Sequence, residues 1–330
     1  MPIESPDDVA VLVELLERSA DARGLGDHFA FLAGTRPEWF RPHQESVIAS
    51  MLDRFEVGFG DLCSLLAGAP DRCVDLVVRR LRERRSFRDV WALAAIGTGA
   101  ALAAVARHDV RRGADRREYE DLGVWVPADG PARYRFSPQR RVVLLRDEGV
   151  DHPVGLSIEE IACDPVMSPI SWHYMSLRVA EVPGVPAWTA ERVHLVGTRA
   201  SCMWTLYANV DDRGCYRDEV VVFDEPPGPE DEIYRAFEQP GRGVGAVELK
   251  PYDADLVYSN GHVQGTPGVV GVAGGPPLGV YANPSCRSCG RLMFHVTTVE
   301  NHVREYGDGW RSLFICEDCR TVACNATGWN

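Results

Sequence analysis

Cys202-Met-Trp-Thr-Leu-Tyr-Ala-Asn-Val210 and Cys215-Tyr-Arg-Asp-Glu-Val-Val-Val-Phe223 flank Asp211-Asp-Arg-Gly214. Alternation of residue character puts one face of each run inward, and the Asp/Gly-rich link has the chemistry of a tight turn, so the stretch reads as an antiparallel hairpin. The same period of two recurs upstream in Trp172-His-Tyr-Met-Ser-Leu-Arg-Val179. Further strands are predicted at 141–146, 192–196, 245–250, 291–299 and 310–315. A short helix is predicted near Ile233–Phe237, after the acidic, proline-broken loop Asp224–Glu232. Because few helix-length patterns separate these strands, residues 121–330 are expected to form one mostly antiparallel β domain.

Residues 1–120 have a different character. Ser5-Pro6-Asp7-Asp8 supplies an N-cap, a proline at the first helical position and an acid three residues after the cap, and Val9, Leu12, Leu15 and Leu16 follow at helical spacing. A second cap is expected at Ser86 with Asp89 three residues on, after the helical run Cys73-Val-Asp-Leu-Val-Val-Arg-Arg-Leu. The Ala/Leu-rich stretch 91–105 is broken at Gly97 and Gly99. Short amphipathic helices with glycine turns resemble HEAT-like repeats, and a plain bundle is the competing arrangement. The expected fold class is therefore α+β: an all-helical domain, HEAT-like or a bundle, over 1–120, then the β domain.

The chain has 330 residues, above the usual ~100–200 of one domain, and 45% apolar content, enough for two cores. A net charge of −13 argues against a globally basic nucleic-acid-binding surface. No apolar run approaches the ~20 residues of a membrane span, and Asp7 and Asp8 precede the first apolar segment where a signal peptide would be basic. The expected location is cytoplasmic, with no membrane partner.

In a reducing compartment the ten cysteines read as metal ligands or core residues rather than disulfides. Cys286, Cys289, Cys316 and Cys319 form two Cys-x-x-Cys pairs separated by 26 residues. Two residues between thiolates let one tight turn offer both sulfurs to a tetrahedral ion, so a structural zinc ribbon is expected over 283–325. Gly290, directly after the second cysteine, suits the positive φ of such a turn, whereas Arg320 holds the matching place in the other. Four sulfur ligands leave no open position for a reactive water, which makes the zinc a staple. Cys324, His295 and His302 are spare donors. Cys63, Cys73, Cys163, Cys202 and Cys215 read as small core residues.

No catalytic set emerges from spacing. His173, in phase with Met175, Leu177 and Val179, reads as a hydrogen-bonded core histidine, and His194 as facing a pocket or solvent. His262, in the glycine-containing loop Tyr258-Ser-Asn-Gly-His-Val-Gln-Gly, would be the base of a hydrolase if Asp253 or Asp255 met it. Arg79, Arg82, Arg85, Arg112 and Arg116 form a basic region in the helical part, which reads first as a solvated helix face and otherwise as a partner-binding surface or, alternatively, an RNA contact.

Gly274-Gly-Pro-Pro, Cys286-Arg-Ser-Cys-Gly-Arg-Leu-Met-Phe, and Tyr306-Gly-Asp-Gly-Trp with Leu313-Phe-Ile-Cys resemble the C-terminal part of the YwqG-like family, related to the programmed cell death protein 2 group. The likeness covers about residues 250–320. It implies a β-rich binding module without catalytic residues, whose eukaryotic relatives resemble dedicated chaperones of a ribosomal protein. The glutamines the family often places after Gly-Gly-x-Pro and Met-x-Phe are replaced here by Gly279-Val-Tyr and His295-Val. The expected function is non-enzymatic protein binding, as an adaptor, chaperone or immunity-type partner, with nucleic acid not favoured.

Overall fold

The structure is a computed structural model that describes residues 5–18, 23–55, 57–84, 86–109, 113–128, 130–146, 158–164, 166–198, 204–223, 246–251, 268–277, 283–300 and 310–327. It is α+β, with helices first and a large antiparallel sheet after them. Contacts divide the described residues into two compact units, with the boundary between Tyr134 and Arg135.

The first unit contains α1 (Pro6–Arg18), α2 (Arg23–Thr35), α3 (Gln44–Ser46), α4 (Phe59–Leu66), α5 (Asp71–Glu83), α6 (Phe87–Ile96), α7 (Gly99–Asp109) and α8 (Gly113–Asp121). A short hairpin of β1 (Val124–Trp125) and β2 (Arg133–Tyr134) follows. The capping box expected at α1 is formed: Ser5 N donates to Asp8 Oδ2 at 3.0 Å, and Asp8 N to Ser5 Oγ at 3.4 Å. The buried face of α1 is Val9, Leu12, Val13 and Leu16, while Leu15 is exposed.

Helix α6 is the centre of this unit, with Val90 and every residue from Ala92 to Ile96 buried and α4, α5, α7 and α8 all packed against it. Ser86 caps it by accepting from Arg88 N at 3.2 Å. Asp89 does not complete a capping box; its carboxylate is buried and accepts from Arg80 Nε at 2.6 Å. Gly97 ends the helix at φ 65°, where a Cβ would lie 2.2 Å from the Tyr134 hydroxyl. Glycine is required there twice over, because that hydroxyl donates to Ala94 O at 2.5 Å.

The second unit is built on an eight-stranded antiparallel sheet in the order β7-β6-β12-β11-β10-β9-β3-β8. The strands are β3 (Arg140–Arg146), β6 (Trp204–Val210), β7 (Tyr216–Phe223), β8 (Ala246–Pro251), β9 (Val269–Gly274), β10 (Phe294–Glu300), β11 (Trp310–Ile315) and β12 (Thr321–Thr327). The one-turn helix α9 (Ile158–Ile161) and the separate hairpin of β4 (Ile170–Arg178) and β5 (Arg192–Thr198) complete the unit. Alternation sorts the side chains: Leu313, Ile315, Val322, Cys324 and Ala326 join Leu177, Val193 and Leu195 of that hairpin in the main core. Phe314 and Ala323, on the opposite face, pack with Cys286, Met293 and Cys316.

The hairpin read around Asp211–Gly214 is present, with Asp211 N donating to Cys215 O at 2.9 Å and Gly214 at φ 85°. The segments expected as strands of a ribbon, β10 and β11, are interior to the sheet, flanked by β9 and β12. The helix expected near Ile233–Phe237 lies outside the described residues.

Candidate metal centre

The two Cys-x-x-Cys turns come together where β10 begins and β11 ends. Ser285 bridges Leu292, and Cys286 N donates to Arg291 O at 2.8 Å. Gly290 N closes the turn on Cys286 O at 2.8 Å, and Gly290 adopts φ 72° as its position required. The second turn leaves β11 and re-enters the sheet as β12, with Cys316 N donating to Thr321 O at 2.9 Å. Arg320 does not have positive φ; among the described non-glycine residues only Asp218 does.

The Sγ atoms of Cys286, Cys289, Cys316 and Cys319 all lie within 4.8 Å of one another. The Cys289 and Cys316 sulfurs are 3.6 Å apart, too far for a disulfide and close to the edge of about 3.8 Å that a tetrahedron with metal–sulfur bonds of about 2.3 Å demands. Cys286 and Cys316 are buried, Cys319 is half-buried and Cys289 is exposed. The arrangement is geometrically compatible with a four-sulfur metal site.

The turns also aim backbone N–H groups at two of the sulfurs. Burial raises the Cys286 thiol, but the backbone N–H groups of Cys289 and Ser288 point at its sulfur and bring it down to about 7. The Cys316 sulfur receives the N–H groups of Asp318 and Cys319 in the same way, yet burial and the neighbouring sulfurs push it well up. Cys319 is pushed up to about 11 by burial, with the adjoining thiols of Cys289 and Cys286 adding to it. Concentrated negative charge is the obstacle to ionising all four, and a divalent cation removes it.

Three partners of these turns carry no signal in the sequence. Trp188 Nε1 donates to Cys316 O at 2.9 Å and to Cys319 O at 3.3 Å, from 128 residues away. Arg135, almost wholly buried, donates from Nε to Leu292 O at 2.7 Å and from NH1 to Glu317 Oε2 at 2.5 Å, inside the second turn. Arg291 pairs with Asp318 across the two turns. These contacts tie both turns to the body of the unit and place guanidinium charge near the thiolates.

Two of the three spare donors are engaged elsewhere. Cys324 is buried in the main core, its thiol pushed up to about 12 by burial and donating to His194 O at 3.6 Å. His295 is buried, with Nδ1 3.0 Å from Gly275 O and Nε2 2.8 Å from Thr298 Oγ1. His302 lies outside the described residues, as do His262, Asp253, Asp255 and Cys202.

His173 is a buried, hydrogen-bonded histidine as expected, with Nε2 3.1 Å from Ser176 Oγ. His194, read as facing a pocket or solvent, is instead buried and 2.7 Å from the same hydroxyl through Nδ1. Cys73 is a core residue, but Cys163 and Cys215 are not: both are partly exposed beside Asp211.

Of the arginines, Arg79 and Arg82 are exposed on α5, and Arg116 is exposed on α8 with its Nε 2.8 Å from Glu120 Oε1. The side chains of Arg85 and Arg112 lie outside the described residues. Arg80, in the middle of the basic run, is internal: it bonds Asp89 at 2.6 Å and Asp53 at 2.8 Å. Burial raises Asp53, but Arg80 and Arg84 more than reverse it and hold the carboxyl below its ordinary value.

Compared with protein-family models, with curated proteins and with solved structures, the chain gives no match.

Proposed function

We propose that Cys286, Cys289, Cys316 and Cys319 hold one structural zinc ion, and that the chain is a non-enzymatic protein-binding module of the adaptor, chaperone or immunity type. The zinc reading is supported by soft thiolate donors at tetrahedral spacing with backbone N–H groups aimed at two of them. Four sulfurs would fill the coordination shell, so the ion's part would be to cross-link the turns on either side of the β10–β11 hairpin. A cytoplasmic location is part of the same reading, and the nine described cysteines, all free, support it.

The binding reading rests on strand β7. Among the described residues it is an edge of the large sheet, and Val220 and Val222 on it are each 41% exposed, while Val221 between them packs against the core. An apolar row on an edge strand is a template for an added strand from a partner. Arg79 and Arg82 on α5 are the second candidate surface, suited to an acidic segment.

The helical unit reads better as a bundle around α6 than as a HEAT-like stack, since a solenoid helix contacts only its neighbours. A YwqG-like β domain is the family reading for the second unit. It rests on the short motifs around Gly274, Cys286 and Leu313 alone.

The test is affinity capture from the native host with the full, zinc-supplemented chain, comparing Val222→Lys with the pair Arg79→Glu and Arg82→Glu. Loss of the partner in Val222→Lys, with zinc content unchanged, is expected. Normal capture by Val222→Lys with loss in the arginine pair would move the surface to α5. Salt-sensitive retention on RNA, abolished by the arginine pair, would replace the protein reading.

A further inference from the structure

The hairpin turn between β6 and β7 holds a second group of side chains that the metal centre does not use. The carboxylate of Asp211 folds over the turn, with Oδ1 accepting from Arg213 N at 2.8 Å and Cys215 N at 2.9 Å. Its Oδ2 accepts from Arg217 NH2 at 3.0 Å and from Cys163 Sγ at 3.4 Å. Cys163 is brought there by the bridge of Ala162 to Tyr216 and by its own N–H, which donates to Tyr216 O at 3.0 Å. The Cys163 and Cys215 sulfurs lie within 4.8 Å of each other.

A cation is the wrong occupant for this group. Asp211 already takes two backbone donors and the Arg217 fork, with Arg213 Nε 3.5 Å away. The side chains of Arg213 and Arg217, both paired with the carboxylate that Cys163 touches, are 73% and 52% exposed. Two exposed guanidinium groups at the rim repel a metal ion and favour the approach of an anionic reagent. A partly exposed thiol in such a setting, with a second thiol beside it, has the layout of an attacking and a resolving cysteine.

We propose that Cys163 and Cys215 are a redox-active dithiol that exchanges with low-molecular-weight disulfides carrying carboxylates, of the glutathione class. Cys163 gives its proton to solvent and attacks one sulfur of the small disulfide RSSR; that S–S bond breaks, and RS⁻ leaves and takes up a proton. Cys215 then loses its proton and attacks the Cys163 sulfur, expelling the second RS⁻, which is protonated in turn. Two protein thiols are oxidised, and one RSSR is reduced to two RSH. The two sulfurs close to the bonding distance of about 2 Å by side-chain rotation at the rim of the turn.

The test uses the full chain, supplemented with zinc and equilibrated in glutathione buffers of increasing oxidised fraction. Acid quenching, alkylation and non-reducing trypsin digestion follow. The expected product is the peptide Gly214–Arg217 joined through Cys215 to the peptide bearing Cys163, lost again in excess reduced glutathione. Cys215→Ser should retain glutathione on Cys163, and Arg213→Gln should slow the exchange about two- to fivefold, the range for removing one exposed charge partner. The wild-type digest decides the matter even if a variant fails to fold. Cys163 and Cys215 both alkylated as free thiols across the whole series would overturn the proposal. So would a second equivalent of bound zinc that Cys163→Ser releases.

Discussion

Replacing Gly290 isolates what the first cysteine turn demands of its backbone. The residue stands at φ 72°, and a Cβ built there would meet nothing within 4 Å, so no clash contributes. What remains is the cost of left-handed backbone for an L residue, about 1–2 kcal/mol. A lower entropy of the unfolded chain offsets it by about 0.4–1 kcal/mol. Gly290→Ala should therefore lose about 1 kcal/mol, Gly290→Asn less, and the β-branched Gly290→Val more. Where the strain is felt only by the metal-bound turn, that loss appears as a roughly fivefold weaker hold on zinc, at about 1.4 kcal/mol per tenfold. Competition with a chromophoric chelator reads the affinity, and thermal melting reads any part shared with the free fold. Alanine and valine variants indistinguishable from the parent in both assays would refute the argument from φ.

Three further outcomes follow from buried groups. Arg80→Met should cost about 3–5 kcal/mol in urea unfolding, because it strands the buried Asp89 carboxylate, and adding Asp89→Leu should recover most of that; a loss under about 1 kcal/mol would contradict the buried pair. Burial lowers His295 to about 4, from an ordinary 6.5, so between those values the unfolded chain binds a proton that the folded chain refuses. This contribution costs stability as pH falls through the window, reaching about 3 kcal/mol at pH 4. An imidazole NMR titration of His295 with a midpoint near its ordinary value would rule it out. Trp188→Phe removes the donor to Cys316 O and Cys319 O and should destabilise the β unit by about 1–3 kcal/mol, with no loss expected if those carbonyls find water instead.

How far the sequence carried depended on whether a segment faces water. The Asp211–Gly214 hairpin and the strand at 170–178 were legible because their side chains alternate or their turn residues are specific. Strand β12 went unread because Thr321–Ala326 is buried at every position, which erases the period of two. Strand β9 is likewise buried throughout and carries Gly271, where a Cβ would fall 2.2 Å from Thr298 O; that glycine reads as a break until its neighbour is known.

The four cysteines were legible because a metal turn is a local device of fixed spacing. Trp188 and Arg135, which brace the same turns, act across 128 and 157 residues and have no local signature. Arg80 looked like one more surface charge, because its partners Asp53 and Asp89 come from other helical turns. Cys163 and Cys215, read as core, are brought together at the surface by a bridge that joins residues 162 and 216.

The central claim is that the Cys286, Cys289, Cys316 and Cys319 sulfurs hold a structural zinc ion, and metal analysis of reduced, chelator-free protein tests it most directly. Wild-type protein should carry about one zinc per chain, and Cys286→Ser should lose it together with stability of the β unit, because a buried, hydrogen-bonded thiolate ligand is gone. Wild-type protein without zinc, or a Cys286→Ser variant that keeps a full equivalent and melts like the parent, would contradict the assignment.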